Sequence, residues 1–181
     1  NANASKFLAA KGLAGSRLRR EMVGLALIKL ATSDPEAAAS QLEHRWGAQL
    51  GPEERDWVWG VVGKQAALRL QPEAAGYFAR VGRDSHLSDD LLGWKVRAAL
   101  RAGRTPGWQA ILEAVNAMSE EGRQDPAWVY WKARALLATP AAESQKAEAQ
   151  RLLQSIASPR GFYEQLALEE LGQKVTLPAR P

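Results

Sequence analysis

Apolar residues recur along the chain at intervals of three, four and five positions, which is the spacing of one face of an α-helix. Leu18, Met22, Leu25 and Leu30 follow this spacing, and a second such stripe begins at Trp128. No segment keeps the strict alternation that a half-buried strand requires. The pattern predicts about ten helices, at residues 3–14, 17–32, 35–47, 52–70, 72–81, 89–102, 106–118, 126–138, 142–157 and 161–171.

Proline and glycine mark the predicted helix boundaries. Proline fits the first helical position, where no backbone N–H is needed. Five prolines stand at such positions: Pro35, Pro52, Pro72, Pro106 and Pro126. Asp34, Thr105 and Asp125 precede three of them and can accept hydrogen bonds from the first turn. Glycine favours helix ends, and we expect ends at Gly15, Gly47, Gly82, Gly103, Gly122 and Gly172.

A weak internal repeat links two segments displaced by 37 residues, Trp94–Leu100 (WKVRAAL) and Trp131–Leu137 (WKARALL). Paired helices with a period in the middle thirties are typical of tetratricopeptide-like (TPR-like) solenoids, in which neighbouring pairs cover each other's apolar faces. We therefore predict an all-α fold, a TPR-like right-handed superhelix of about ten antiparallel helices in a single domain, 1–181. Within helix 52–70, Gly60, Gly63 and Ala67 are expected to let a neighbouring backbone approach closely.

Composition supports the helical prediction and excludes several kinds of site. Of the 181 residues, 33 are alanine and 23 are leucine, whereas 3 are isoleucine and 4 are threonine. The absence of cysteine excludes a disulfide scaffold, thiol catalysis and a cysteine zinc site. The net charge of +4 comes from interleaved acidic and basic residues, unlike the concentrated charge of nucleic-acid binders. No apolar run approaches the roughly 20 residues of a membrane span.

The titratable residues give no sign of a metal site, a cofactor site or a catalytic pair. His44 and His86 share no metal-ligand spacing, and we interpret them as solvated or locally bonded. Adjacent acids on a helix diverge by about 100°, so they do not converge on one bond. Glu169 and Glu170 lie near a predicted helix end, where negative charge is unfavourable. We therefore predict that these two glutamates contact a partner.

Two further groups of side chains are candidates for contact with a glycan or a partner. Arg17, Arg19 and Arg20 are either a solvated helix face or a patch for an anionic polymer. The seven tryptophans are either core wedges or platforms that stack on sugar rings. Tyr130 and Arg134 lie one helical turn apart, away from the tryptophan stripe, and are expected on an exposed face. The candidate contact residues are Arg17, Arg20, Tyr130, Arg134, Glu169 and Glu170.

Two segments carry a family resemblance, Asp125–Leu136 (DPAWVYWKARAL) and Arg160–Gly172 (RGFYEQLALEELG). Together they are similar to the end of the helical superhelix and the linker region of the soluble lytic murein transglycosylases. In that family an Asp-Pro-x-Trp-x-Tyr-Trp helix, a helical pair and a Gly-Phe-Tyr-Gly-x-Leu-Ala-Ala run precede the catalytic domain. Glu164 stands where the family tends to have glycine, and Leu168 where alanine is usual. The resemblance covers about residues 90–172.

The resemblance implies a non-catalytic part of a cell-wall enzyme. The family's lysozyme-like domain carries its catalytic glutamic acid in a Glu-Ser-x-x-Asn-Pro-x-Ala motif, which does not occur in this sequence. The chain stops about where that domain would start. Residues 1 to about 122 would then form superhelical helices, and residues from about 123 to 175 would form the linker-region helices. Residues 176–181 would be the linker to the catalytic domain. No catalytic residue can be transferred to this chain.

The implied role is a scaffold without a cofactor. It would hold its own catalytic domain and guide or bind peptidoglycan glycan strands, with other cell-envelope proteins as further partners. We expect a monomer without a membrane span or a nucleic-acid partner. The expected location is the periplasm, with the leader peptide outside these 181 residues.

Three other functions stay open on the sequence alone. The first is a TPR-like protein–protein interaction module of a cell-envelope protein, which would be recognised by peptide capture. The second is a complete enzyme that uses scattered carboxylates, but two glycosidase carboxyls must face each other across a bond, and no such pair can be nominated. The third is a nucleic-acid binder, which the interleaved charges disfavour.

Overall fold

The computed structural model describes residues 17–140 and 143–172, and the regular secondary structure within those ranges is all helical. This confirms the predicted all-α class. The chain divides into two compact units, Asn1–Pro106 (unit 1) and Gly107–Pro181 (unit 2). The helix predicted at 3–14 lies outside the described residues. The single superhelical domain, with a linker region from about residue 123, stays a prediction.

Unit 1 contains five described α-helices. They are α1 (Arg17–Ser33), α2 (Pro35–Gln41), α3 (Pro52–Leu68), α4 (Ala74–Phe78) and α5 (Asp89–Leu100). A π-helical turn at Leu42–Trp46 and a 3₁₀ turn at Gly47–Gln49 continue α2, and a second 3₁₀ turn at Asp84–His86 precedes α5. Helix α3 packs against α1, α2, α4 and α5 and so lies at the centre of the unit.

The predicted helix starts are confirmed at three of the five prolines. Pro35, Pro52 and Pro126 each occupy the first turn of a helix. Asp34 accepts a hydrogen bond from the Ala37 amide at 3.0 Å, as predicted from its place before a proline. The predictions at Pro72 and Pro106 are wrong, because the helices that follow begin at Ala74 and Trp108. Thr105 therefore does not cap a helix.

The apolar face of α1 differs from the predicted stripe. Leu18, Met22 and Leu25 are 66%, 43% and 66% exposed. The buried face holds Val23, Gly24, Leu27, Leu30 and Ala31. Both sets have helical spacing, because the segment carries apolar residues on two faces, and the pattern alone did not tell which face the other helices of unit 1 cover.

Side chains, rather than a neighbouring backbone, occupy the space beside the two glycines of α3. A Cβ atom at Gly63 would lie 2.7 Å from the Phe78 ring, and one at Gly60 would lie 2.8 Å from a Leu87 methyl group. Phe78 is 1% exposed and lies deep in the core of unit 1. The expectation of close approach is confirmed, and the expected backbone partner is wrong.

Unit 2 contains five described α-helices, α6 (Trp108–Ala117), α7 (Glu120–Gln124), α8 (Pro126–Ala138), α9 (Glu143–Ile156) and α10 (Phe162–Glu170). Helix α7 was not predicted. Gly122, expected to end a helix, lies inside α7, where its amide donates to the Ser119 hydroxyl at 3.1 Å. Helix α6 contributes the fully buried Ile111, Ala114 and Val115. A hydrophobic cluster joins α8, α9 and α10, and its buried members are Tyr130, Ala133, Leu136, Ala149, Leu153 and Ala167.

Candidate functional site

Three of the predicted contact residues meet in unit 2. Tyr130 and Arg134 are four residues apart, so α8 places them on one face, and α10 brings Glu170 to the same place. Arg134 Nη1 donates to the Tyr130 hydroxyl at 2.9 Å and lies 3.1 Å from Glu170 Oε1. We call these three residues the Arg134 cluster. It joins α8 to the last turn of α10.

The electrostatics of the Arg134 cluster favour the charged guanidinium. The hydrogen bond to Tyr130 is the largest cause that raises the pKa of Arg134, partial burial opposes it, and the charge of Glu170 adds to it. Because the guanidinium lies beside Glu170, it offsets the unfavourable placement of that carboxylate at a helix end. Glu170 thus has a partner inside the chain, and contact of the exposed Glu169 with another molecule stays a prediction.

Tyr130 is not exposed, which corrects the sequence prediction. Its side chain is 3% exposed and belongs to the core of unit 2. The ring centroids of Trp131 and Tyr163 lie 5.1 and 5.6 Å from that of Tyr130. The Trp131 indole N–H also donates to the Tyr163 hydroxyl at 3.4 Å. The ring of Tyr130 is therefore covered by Tyr163 of α10 and by its own neighbour Trp131.

The rings of Tyr130, Trp131, Tyr163 and Phe162 form an aromatic cluster that reaches the surface at Phe162. The sequence did not name Phe162 as a candidate contact residue. Phe162 is 71% exposed, and its ring meets that of Tyr163 edge to face at a centroid distance of 5.1 Å. Gly161 precedes it with φ of 91°, a conformation that favours glycine, and so sets the start of α10. The Gly-Phe-Tyr run of the sequence was the signal for this position.

The basic residues of α1 do not gather into a comparable site. Arg17 pairs with Glu21 at 3.2 Å, and the two side chains are 85% and 49% exposed. Such an exposed pair contributes little to stability. Arg20 lines a groove of about 760 Å³ between α1 and α3, together with Leu25, Ile28 and Trp57.

The two histidines and the buried Asp56 of unit 1 have local partners. Asp56 accepts hydrogen bonds from the Gly82 and Arg83 amides at 2.7 and 3.0 Å, and its Oδ2 lies 2.7 Å from His86 Nδ1. The interpretation of His86 as locally bonded is thereby confirmed. His44 is exposed, with Nε2 3.7 Å from Glu43. Within residues 17–140 and 143–172, no group of three or more histidine and acidic side chains could hold a metal ion.

The seven tryptophans range from buried to exposed, and four of them are half-buried. Trp46 and Trp59 are 4% and 5% exposed, as core wedges should be. Trp59 stacks on Tyr77 with centroids 6.2 Å apart. Trp57, in the same helix as Trp59, is 41% exposed. In the part of the chain that the structure describes, no helix has the length and apolar character needed to cross a membrane.

Comparison with known proteins finds lytic transglycosylases among the relatives of this chain. No family model matches the chain. A soluble lytic murein transglycosylase of Salmonella typhimurium is 28% identical over 163 residues, which is 87% of this chain and 24% of that protein. The chain is related to the soluble lytic murein transglycosylases. The resemblance of Asp125–Leu136 and Arg160–Gly172 to that family is thereby confirmed.

A solved structure agrees with this relationship. The lytic transglycosylase Slt of Pseudomonas aeruginosa, determined as an inactive mutant, matches with a TM-score of 0.65 and 26% identity. The match covers 96% of this chain and 26% of Slt. The chain therefore spans about a quarter of the length of the two lytic transglycosylases that it matches.

Proposed function

We propose that this chain is a non-catalytic helical part of a peptidoglycan lytic transglycosylase. It supports the catalytic domain and gives the glycan strand a path. The observation that carries the proposal is the match of nearly the whole chain to about a quarter of Slt. The proposal gains support from the sequence, in which the family's Glu-Ser-x-x-Asn-Pro-x-Ala motif does not occur.

The proposal includes the finer architecture and setting that the family resemblance implies. These are TPR-like right-handed stacking of helical pairs, a periplasmic location and a monomeric state. The 37-residue repeat supports the first of these, because its two copies lie in α5 and α8 and bury the equivalent side chains Val96 and Ala133 completely. Stacked helical pairs offer a long surface that suits an extended polymer.

The aromatic surface of unit 2 is the proposed glycan contact. Phe162 presents an exposed ring that can stack on the C–H face of a pyranose, as aromatic side chains favour large apolar contacts. Arg134, whose side chain is 36% exposed, lies on the helix that carries Tyr130, within the same aromatic cluster. Its cationic guanidinium suits the carboxylates of peptidoglycan stem peptides.

Sedimentation with insoluble peptidoglycan tests this function. We expect the protein to pellet with the polymer at low salt and less at high salt, because exposed charges are screened within about 8 Å at physiological ionic strength. Phe162→Ala should reduce the pelleted fraction several-fold. Leu137→Ala is the matched control, since Leu137 is also an exposed apolar residue of unit 2. Absence of pelleting by the unmodified protein at any salt concentration would contradict glycan binding and leave only the supporting role.

The groove between α1 and α3 favours a second candidate function, a TPR-like protein–protein interaction module of a cell-envelope protein. Leu25 is 66% and Trp57 41% exposed, and both line the groove. Exposed apolar patches rimmed by polar residues mark protein interaction sites. Capture of a defined peptide from a library, lost in Trp57→Ser and kept in Phe162→Ala, would favour this alternative over glycan binding.

A further inference from the structure

A second groove in unit 1 has the shape of a ligand site. It lies between the end of α3, the start of α4 and α5, and its volume is about 570 Å³. This is within the range of small-molecule pockets. Its lining includes Ala67, Leu70, Ala74, Trp94, Ala98 and Arg101. Small alanines thus line the groove together with an indole and three leucines, and we call it the Trp94 groove.

Leu70 is held in a conformation that a leucine rarely adopts. Its φ is 55°, in the left-handed region where glycine is usual at the end of a helix. The Leu70 amide donates to Ala67 O at 3.0 Å and the Gln71 amide to Ala66 O at 2.9 Å. The side chain gains little burial in return, because it is 69% exposed at the groove. These two bonds are the ones that close a helix C-terminus, and the cap leaves the Leu70 side chain as an exposed apolar wall of the groove.

The charge of the Trp94 groove is wholly positive. Two arginines, Arg97 and Arg101, line it, and no acidic residue does. The Arg97 guanidinium lies 4.6 Å and the Lys64 ammonium 6.0 Å from the centroid of the Trp94 ring, so cations lie close to the indole. Arg101 is exposed. The complementary ligand has an apolar face for the indole and the leucines, and an anionic group for the arginines.

We propose that the Trp94 groove binds an amino-sugar disaccharide that carries a carboxylate. One pyranose lies along the alanine-lined part of the groove between Leu70 and Trp94, and the carboxylate accepts hydrogen bonds from Arg101. The choice of a sugar rests on the function proposed above. The evidence for the groove comes from Leu70, Trp94 and Arg101 of unit 1. It is independent of the Arg134 cluster and of Phe162, which belong to unit 2.

Calorimetric titration with two matched sugars tests the inference. The acidic probe is the N-acetylglucosamine–N-acetylmuramic acid disaccharide, and the neutral probe is di-N-acetylchitobiose, which lacks the carboxylate. We expect the acidic probe to bind at least tenfold more tightly. Arg101→Glu should abolish that preference, whereas Arg123→Glu, the same charge change in α7 of unit 2, should keep it. Equal binding of the two probes, equal loss in both variants, or no binding of the acidic probe would overturn the proposal.

The variant Leu70→Gly distinguishes a role of Leu70 in binding from a purely structural role. Glycine adopts positive φ without strain, so this variant should melt at a higher temperature than the unmodified protein. It should nevertheless bind the acidic disaccharide several-fold more weakly, because the apolar wall is gone. Higher stability with unchanged binding would contradict the proposed role of Leu70. If the unmodified protein pellets with peptidoglycan while the groove binds neither sugar, the groove proposal fails and the proposed function stands.

Discussion

Asp56 shows at the residue scale how a single carboxylate organises unit 1. It lies in the second turn of α3, is 5% exposed, and accepts hydrogen bonds from the Gly82 and Arg83 amides. His86 adds a third contact. A buried carboxylate needs such partners, because removal from water without compensation is costly. Asp56 therefore ties the loop before α5 to the centre of the unit.

Replacing Asp56 should destabilise unit 1. In Asp56→Ala the two amides and the His86 imidazole lose their acceptor, and we expect the free energy of unfolding to fall by about 2 to 3 kcal/mol. Asp56→Asn keeps an acceptor oxygen and should lose less. Urea unfolding measures both, with Glu53→Gln as the control at an exposed carboxylate of the same helix. A loss in Asp56→Ala no larger than in this control would show that the loop is held by other contacts.

Tyr77 makes the stability of unit 1 depend on pH in the alkaline range. Burial is the largest cause that raises the pKa of Tyr77, and the negative charge of Glu73 adds to it. The phenol therefore stays protonated in the folded state above its ordinary pKa of about 10. Its contribution is fully present below that pH, and is lost as pH rises through the folded-state pKa, because the folded state then binds more protons than the unfolded state.

We expect Tyr77→Phe to weaken the fall in stability at alkaline pH. Unfolding by urea at intervals from pH 8 to pH 11 compares the two proteins, and other titrating groups cancel in the difference between them. The free energy of unfolding of the unmodified protein should fall more steeply above about pH 10. Parallel curves would mean that Tyr77 ionises equally in the folded and unfolded states.

At the residue scale, the sequence predicted roles that depend on neighbouring residues of the chain. It did not predict roles that depend on residues far along the chain. The capping roles of Asp34 and Asp125 follow from the next residues along the chain, and both are confirmed. Asp56 gave no such signal, since its partners lie 26 to 30 residues away. Tyr130 was predicted to be exposed but is buried, because its ring packs against Tyr163 of α10, 33 residues further along the chain.

The packing of α3 is the clearest case at the scale of the secondary-structure element. Glycine in a helix interior costs about 1 kcal/mol relative to alanine, yet α3 has two glycines in its buried face. At Gly63 the missing side chain makes room for the Phe78 ring. Packing of a large aromatic residue therefore outweighs helix propensity at this position.

The matched pair Gly63→Ala and Gly24→Ala tests this balance. Overpacking costs about 1 to 3 kcal/mol, so Gly63→Ala should lower the free energy of unfolding despite its better helix propensity. Gly24 in α1 has open space where the Cβ would stand, so Gly24→Ala should raise the free energy of unfolding by about 1 kcal/mol. Urea unfolding of both variants gives the comparison. Stabilisation by both substitutions would contradict the packing argument.

Helices with strong boundary signals could be predicted, and weakly marked ones could not. Pro52 and Pro126 fixed the starts of α3 and α8, and the predicted end of α8 at Ala138 also agrees. Helix α7 is five residues long, which is too short for a periodic pattern, and its glycine was taken for a stop. The buried face of α1 was wrong because the segment has apolar residues on two sides.

At the scale of the whole molecule, the proposed function is inferred from the larger proteins that the chain matches. The chain spans 24% of the Salmonella typhimurium transglycosylase and 26% of the Pseudomonas aeruginosa enzyme. The resemblance of Asp125–Leu136 and Arg160–Gly172 was enough to find this family from the sequence. The proposed contact surfaces at Phe162 and in the Trp94 groove needed the structure, since exposure depends on which helices cover each face.

The most direct test of the central proposal is to incubate the purified chain with intact peptidoglycan and measure the soluble products. Mass spectrometry of the soluble fraction would detect 1,6-anhydro-muropeptides, with a muramidase digest of the same polymer as the positive control. We expect no anhydro product above the level of the polymer alone, because this chain is proposed to support and guide rather than to break bonds. Release of anhydro-muropeptides that grows with protein concentration would contradict the proposal.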